Sequence, residues 1–162
     1  MKISRLRLSD VKEVSTLLNR TIKQLKRHYT AKEIRDEVKR YSAKNLQTYV
    51  RNKANVFSVA KDKDKIVGVI CAFTEPSRLC WIDWIVVKKS YWRNGIGSML
   101  IRDLEKTANG RWDKIRCRTR ISNMRPSNMF EKLCYKKLST LRRRVHKRDA
   151  YTWEKIMKNS LN

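Results

Sequence analysis

Polar and apolar residues alternate at the start of the chain and then change to helical spacing. Residues 2–8 alternate and predict a short strand. Ser9-Asp10 can begin a helix, because apolar residues follow at helical spacing between positions 11 and 25. Thr30 and Glu33 match a capping box and predict a second helix. The apolar face of that second helix consists of Ile34, Val38 and Tyr41.

The middle of the chain carries three apolar runs that predict strands. Val56–Ala60 and Ile66–Phe73 lie on either side of a polar turn and predict a hairpin. Leu79–Val87 is the longest apolar stretch, which predicts a central strand buried on both faces. From Ile96 the spacing becomes helical again, and Asn109-Gly110 marks the end of that helix.

The C-terminal part returns to strands around one short helix. Asp113–Ile121 alternates strictly, with Lys114, Arg116, Arg118 and Arg120 as a row on one face. Pro126 suits the first turn of a helix that runs to about Leu133. Tyr135–Val145 and Tyr151–Met157 predict the last two strands. The element order β-α-α-β-β-β-α-β-α-β-β predicts one α+β domain over residues 1–162, built around a single sheet.

The charge of the chain is strongly positive, since 40 Lys and Arg oppose 15 Asp and Glu for a formal net charge of +25. Such a charge predicts an anionic partner. No apolar run approaches the roughly 20 residues of a membrane span, and the N-terminus lacks a signal-peptide stretch, so no membrane partner is expected. The four cysteines form no CxxC pair, which argues against a metal site and favours a reduced, cytoplasmic protein.

Two of the four glycines lie where the central strand leads into the following helix. Gly95-Ile96-Gly97-Ser98 begins that helix, so free N–H groups and the helix dipole can bind an anion there. Glycine lets the backbone approach a phosphate closely. The alternative is an ordinary turn between a strand and a helix.

Two motifs resemble those of the GNAT N-acetyltransferase superfamily. The sequence VKKSYWRNGIG at residues 87–97 resembles the acetyl-CoA signature, and NMRPSNMFEKLCY at residues 123–135 resembles the family's second motif. The predicted element order is also similar. The resemblance implies a mixed, mostly antiparallel central sheet flanked by about four helices. It implies acetyl-CoA as co-substrate and direct transfer to a primary amine of a small molecule, protein or peptide.

The resemblance also implies which residues bind acetyl-CoA. A backbone N–H of the central strand would bind the thioester oxygen, and the glycine loop would bind the pyrophosphate. Phe130 stands where many members carry the Tyr that protonates the leaving thiolate, and Phe has no proton to give. The residues implied at the cofactor are Ile85, Val86, Val87, Arg93, Asn94, Gly95, Ile96, Gly97, Ser98, Asn123 and Phe130.

Asp83 is the first candidate for the general base, because it is the only carboxylate within the central strand. Strict alternation puts it on the face of Ile85 and Val87. The alternative role for Asp83 is a partner for one of the many cations. The other candidates are weaker: Glu75 lies in the preceding turn, His28 and His146 are interpreted as solvated, and Cys134 is interpreted as a core residue.

Residues 111–148 contain 14 Lys and Arg against two acidic residues. This basic segment predicts contact with a polyanion such as nucleic acid or the ribosome, and the alternative is a solvated face. A second function therefore stays open beside acetyl transfer: a nucleic-acid- or ribosome-binding protein on a GNAT scaffold with weak or lost catalysis. Homodimerisation also stays open.

Overall fold

Seven strands form one sheet, and α-helices cover both of its faces. The computed structural model describes residues 1–108, 110–145 and 148–157. The strand order is β1-β2-β3-β4-β5-β7-β6, and all described pairs are antiparallel except β4 with β5. The strands are β1 (Lys2–Arg5), β2 (Val56–Asp62), β3 (Lys65–Glu75), β4 (Leu79–Val87), β5 (Lys114–Arg120), β6 (Lys136–Val145) and β7 (Arg148–Ile156). The helices are α1 (Val11–Gln24), α2 (Ala31–Arg40), α3 (Ala43–Arg51), α4 (Ile96–Ala108) and α5 (Met124–Lys132).

The sheet separates two apolar cores. On one face, α4 and α5 bury residues such as Leu100 and Phe130 against Trp153 of β7. On the other face, α1 buries Leu18 and Ile22 together with residues of α3 and β2. The helices have this arrangement because each carries its apolar residues at helical spacing on one side.

The predicted α+β class and mixed, mostly antiparallel sheet are confirmed. The helix number differs, because five α-helices are present among the described residues where about four were expected. The additional helix, α3, begins after Ser42, whose hydroxyl accepts a hydrogen bond from the Asn45 amide at 3.4 Å. Leu46 is its one fully buried residue, and Ala43, Tyr49 and Val50 are partly buried against the same core. This apolar spacing is helical but spans only nine residues, and no helix was predicted from it. Within the described ranges, no helix is long and apolar enough to cross a membrane.

Candidate active site

The sheet opens between the parallel strands β4 and β5. Their pairing ends at Ile82 and Cys117, and beyond that point β4 continues to Val87 and β5 to Arg120. No further pairs join the two strands beyond this point among the described residues. A gap of this kind can hold two reactants together.

A β-bulge in β4 changes the face on which Asp83 lies. In the pairing with β3, Ile82 lies opposite Ala72 and Trp84 lies opposite Cys71, so Asp83 is an extra residue between them. An extra residue breaks the strict alternation of side chains along a strand.

The Asp83 carboxylate points toward the end of α2. Its Oδ2 accepts a hydrogen bond from the Tyr41 hydroxyl and lies 3.3 Å from Nη2 of Arg40. Ile85 and Val87 instead pack against the core on the α4 face. The prediction that Asp83 shares a face with these two residues is therefore wrong, because alternation across the bulge is not strict.

The two partners of Asp83 both have raised pKa values. Burial, together with the neighbouring Cys71 thiol and Asp83 carboxylate, raises the pKa of Tyr41 well above its usual value. The Tyr41 hydroxyl therefore stays protonated and donates a hydrogen bond to the Asp83 carboxylate. Burial by itself lowers the pKa of Arg40, but the Asp83 carboxylate, together with Tyr41, Glu37 and Tyr49, outweighs this effect and the pKa is raised. The ion pair that was the alternative role of Asp83 is therefore present, and its role as a base stays a prediction.

A cavity of about 490 Å³ lies on the α2 side of the sheet, beside Asp83. We call it the acceptor-side cavity. Its aromatic lining residues are Tyr29, Phe73, Trp81 and Trp84. Its charged lining residues are Glu33, Asp36, Glu37, Glu75 and Asp83, together with Arg40, Arg118 and Arg120.

Contacts between α2 and the sheet fix the wall of this cavity. Glu33 Oε1 lies 2.7 Å from Nη2 of Arg120, and both side chains are only 5% exposed. The Arg120 guanidinium also lies 4.8 Å from the centre of the Tyr29 ring. Trp84 Nε1 donates to Oε2 of Glu37 at 2.9 Å. Because these contacts join distant segments, the wall depends on the packing of α2.

The four cations of β5 do not form the exposed row that the sequence predicts. Arg120 is buried beside Glu33, and Arg116 lies 2.6 Å from the carboxylate of Glu154 on β7. Arg118 is exposed, and its guanidinium lies 4.6 Å from the centre of the Trp81 ring. These contacts are compatible with the prediction that the four cations lie on one face of β5. The prediction that they form an exposed, unpaired row is wrong, because Glu33 of α2 and Glu154 of β7 pair with two of them.

The loop between β4 and α4, residues 88–95, has a backbone suited to anion binding, and we call it the phosphate loop. Arg93 (φ 68°) and Gly95 (φ 72°) are both in the left-handed region, and α4 begins at Ile96. A Cβ added at Gly95 would meet no atom within 4 Å, so the space beside it is open. Met99 donates to the Gly95 oxygen at 3.0 Å, and the amides before Met99 lie in the first turn, where helical acceptors are lacking. These features fit a ligand that carries phosphate.

A glycine is required at position 97 for packing between two helices, whereas the sequence suggested a close approach of the backbone to phosphate. A Cβ at Gly97 would lie 2.9 Å from Sδ of Met129, so the glycine lets α5 pack closely on α4. On the same side, the Arg125 guanidinium lies 4.4 Å from the centre of the Trp92 ring, and Trp92 Nε1 donates to the Val87 oxygen at 2.8 Å. The start of α5 is thus joined to the phosphate loop.

Several predicted cofactor residues have side chains in the core. Ile96, Val86 and Phe130 are each 3% exposed or less, so Ile96 and Val86 could contact a ligand mainly through their backbone. Phe130 packs against the Tyr135 ring at 5.1 Å. Asn123 precedes α5 and makes no side-chain capping bond. Asn94 and Ser98 lie on either side of Gly95 and Gly97, in the phosphate loop and the first turn of α4.

Two of the weaker candidates have positions that the sequence did not indicate. His28 Nδ1 lies 2.7 Å from Oγ of Ser122 and joins the α1–α2 loop to the loop after β5. His146 and Lys147 lie outside the described residues. Cys134 is exposed, so the prediction of a core residue is wrong. It follows α5 in a left-handed conformation (φ 62°), where glycine is common.

The contribution of α2 to the site was not predicted from the sequence. Arg40 and Tyr41 hold Asp83, and Glu33 and Glu37 line the cavity. The available signal was the spacing of Glu33, Glu37 and Arg40, which places their side chains on neighbouring turns. Within the described ranges, no cluster of three or more potential metal ligands is found.

Solved acetyltransferase structures have a similar fold at low sequence identity. PaiA N-acetyltransferase from Thermoplasma acidophilum, in complex with coenzyme A, has a TM-score of 0.82 and 18% identity over 96% of this chain and 98% of that one. Ribosomal-protein-alanine N-acetyltransferase from Brucella melitensis has a TM-score of 0.81 and 15% identity over 96% and 99%. Aminoglycoside 6'-acetyltransferase type Ii has a TM-score of 0.78 and 23% identity over 98% of each chain. No curated protein matches the chain significantly in sequence.

The model of the Acetyltransferase (GNAT) family matches residues 18–135, and the chain belongs to this family. The protein is an acetyltransferase, and acetyl-CoA is its co-substrate. The open Gly95 backbone and the start of α4 fit the phosphates of this co-substrate.

Proposed function

We propose that the protein transfers the acetyl group of acetyl-CoA directly to the primary amine of a cationic acceptor in the acceptor-side cavity. The observation that carries this proposal is the charge of the cavity lining. Five of the 15 acidic residues of the chain line it, although the protein as a whole has a charge of +25. A negative cavity in a positive protein favours a cation at that place.

The distribution of charges within the cavity supports this choice of acceptor. Five carboxylates against three guanidinium groups leave the lining with two net negative charges. Glu33 and Asp83 have arginine partners. Asp36 and Glu75 are exposed, and no cation lies within ion-pair distance of them among the described residues. These two carboxylates are therefore available to an acceptor.

The proposed reaction uses the gap between β4 and β5. The acceptor amine must lose a proton before it attacks the thioester carbon, and Asp83 is the proposed base, directly or through water. Tyr41 and Arg40 keep its carboxylate oriented. A backbone N–H of Ile85–Val87 would donate to the thioester oxygen. The nitrogen–carbon bond forms as the carbon–sulfur bond breaks, and free CoA leaves.

Release of CoA from acetyl-CoA, measured with amines of increasing positive charge, tests the proposed function. We expect KM to fall from a monoamine to a diamine and a polyamine, with a peptide α-amine included for comparison. Asp36→Asn combined with Glu75→Gln should raise the KM for the diamine about fivefold and leave kcat unchanged, because exposed charges contribute modestly. Asp64→Asn, which removes an exposed carboxylate from the β2–β3 turn, is the control. Absence of turnover with every amine would contradict the function, and equal KM values would contradict the cation preference.

The phosphate loop leads to a prediction about affinity for CoA. Gly95→Val should weaken CoA binding at least tenfold in calorimetry, because a β-branched residue strains a positive φ and its side chain would enter the open space. Gly110→Val is a matched control, since Gly110 also has a positive φ (73°) and open space but lies at the other end of α4. Equal CoA affinity in the two variants would mean that the phosphate loop does not bind CoA.

We also propose that the exposed part of the basic segment contacts a polyanion. This proposal is supported by exposed cations that have no ion pair among the described side chains, including Lys114, Arg125 and Lys136. Arg116 and Arg120 are excluded from this proposed contact surface, because each has a carboxylate partner within the protein. The side chains of Arg143, Arg144 and Arg148 lie outside the described set. Binding of tRNA that weakens as salt is raised would support this contact, and no binding at physiological salt would contradict it.

A single domain, homodimerisation and a cytoplasmic location stay predictions. The second candidate function, a nucleic-acid- or ribosome-binding protein on a GNAT scaffold with weak or lost catalysis, also stays a prediction. Turnover in the amine series decides between the two functions.

A further inference from the structure

Three buried side chains form a hydrogen-bonded chain between β7, β5 and α5. Trp153 Nε1 donates to Oγ1 of Thr119 at 2.8 Å, and Oγ1 of Thr119 lies 3.1 Å from Oγ of Ser127. The exposed fractions of Trp153, Thr119 and Ser127 are 1%, 6% and 2%. Nothing described so far uses these two hydroxyl groups.

The hydroxyl pair lies at the gap between β4 and β5. Thr119 is two residues beyond Cys117, where the pairing of these strands ends. Thr119 also lines the acceptor-side cavity, while its hydroxyl contacts Ser127 of α5 on the opposite face. The pair is therefore close to where an amine from one face meets a thioester from the other.

The donors and acceptors of this chain give it a direction. An indole N–H can only donate, so Thr119 is an acceptor toward Trp153. The Thr119 proton is then free to be donated to Ser127, its one other partner among the described residues. Ser127 accepts that bond and has no further partner among the described residues, which leaves its own proton available. Each bond in such a chain strengthens the next.

We propose that Ser127 donates a hydrogen bond to the sulfur of the leaving CoA thiolate. This inference rests on the proposed acetyl transfer. As the amine nitrogen bonds to the carbonyl carbon, the carbon–sulfur bond breaks and its electron pair moves to sulfur. The Ser127 O–H stabilises this charge in a site shielded from water. The proton lost by the amine and the proton finally taken by the thiolate exchange with water, so Ser127 is unchanged after each turnover.

Other groups near the gap cannot supply this donor as well. Phe130 has no hydroxyl, and its ring is packed in the core. Burial raises the pKa of the Cys117 thiol, and a neutral thiol is a weak donor. Thr119 already directs its proton along the chain. Ser127 lies one helical turn before Phe130, on the same side of α5.

Binding of CoA and of desulfo-CoA, which lacks the sulfur, tests the inference without catalysis. In the unchanged protein we expect the ratio of CoA affinity to desulfo-CoA affinity to rise roughly tenfold between pH 7 and pH 9.5, because the thiolate gains a charged hydrogen bond. In Ser127→Ala the ratio should stay flat or fall, because the thiolate would enter the site without a donor. Ser58→Ala is the control, since Ser58 is a fully buried serine whose hydroxyl has no hydrogen-bond partner among the described residues.

Kinetics of the same variants give a second measurement. Ser127→Ala should lower kcat about tenfold and change the KM for acetyl-CoA less than about threefold. Phe130→Tyr should restore part of this loss in the Ser127→Ala background and add little to the unchanged protein. If Ser127→Ala does not fold, Thr119→Val removes the bond that Ser127 accepts and should reduce the pH-dependent rise of the affinity ratio, because Ser127 keeps its proton but loses its orientation. An identical pH dependence of the ratio in a folded variant and the unchanged protein would overturn the inference, whereas absence of CoA binding in the unchanged protein would overturn the proposed function.

Discussion

Asp83→Asn is expected to lower kcat about 100-fold and to change the affinity for acetyl-CoA less than about twofold, the usual range for loss of a general base. Asparagine has nearly the same shape as aspartate but cannot take a proton from the acceptor amine. The carboxylate lies at the bulge of β4, beside both the gap and the acceptor-side cavity. The measurements are steady-state kinetics with the best amine of the charge series and calorimetry with acetyl-CoA.

The ion pair with Arg40 provides the control for this prediction. Arg40→Gln removes the cation but leaves the carboxylate and its hydrogen bond from Tyr41. If Asp83 is the base, Arg40→Gln should retain at least a tenth of kcat, since only orientation is affected. Equal losses in the two variants would mean that Asp83 acts as the ion-pair partner alone. Loss of activity in His28→Ala with activity kept in Asp83→Asn would move the base to the histidine.

Much of the fold could be predicted because most elements repeat their apolar residues with a clear period. The capping box at Thr30 is one example, since its hydroxyl accepts from the Glu33 amide at 3.2 Å as the spacing predicts. Helix α3 was missed because its apolar pattern, although helical, spans only nine residues and contains one fully buried side chain. The bulge at Asp83 was missed because an extra residue is defined by the partner strand, and alternation along one strand carries no information about it.

The candidate site could be predicted on the cofactor side but only in part on the acceptor side. The glycine loop is local, so its residues are read directly from one segment of sequence. The cavity wall instead joins residues far apart in the chain, such as Glu33 and Arg120. Alternation correctly indicated which residues of β5 share its strand face, but which helix covers that face depends on tertiary packing. The same limit applies to Thr119 and Ser127, whose contact with Trp153 crosses three elements.

The buried ion pair between α2 and β5 leads to the largest expected change in stability. Arg120→Met should lower the free energy of unfolding by about 3–5 kcal/mol, because it leaves the Glu33 carboxylate buried without its cation. Glu33→Gln should also be destabilising, because it leaves the guanidinium without its carboxylate. Denaturant unfolding at neutral pH measures both variants. Arg78→Met is the control, since Arg78 and Asp113 are 47% and 43% exposed and their ion pair should contribute less than about 1 kcal/mol.

Combining Glu33→Gln with Arg120→Met separates loss of the pair from damage to the packing. The double variant contains no buried charge at this position, so it should be more stable than the sum of the two single losses by at least about 1 kcal/mol. Additive losses would mean that the two charges do not interact and that packing against Tyr29 explains the effect of Arg120. Because the pair joins α2 to the sheet at the cavity wall, the double variant should fold but bind the amine acceptor more weakly. A KM for the acceptor equal to that of the unchanged protein would show that the cavity does not need this contact.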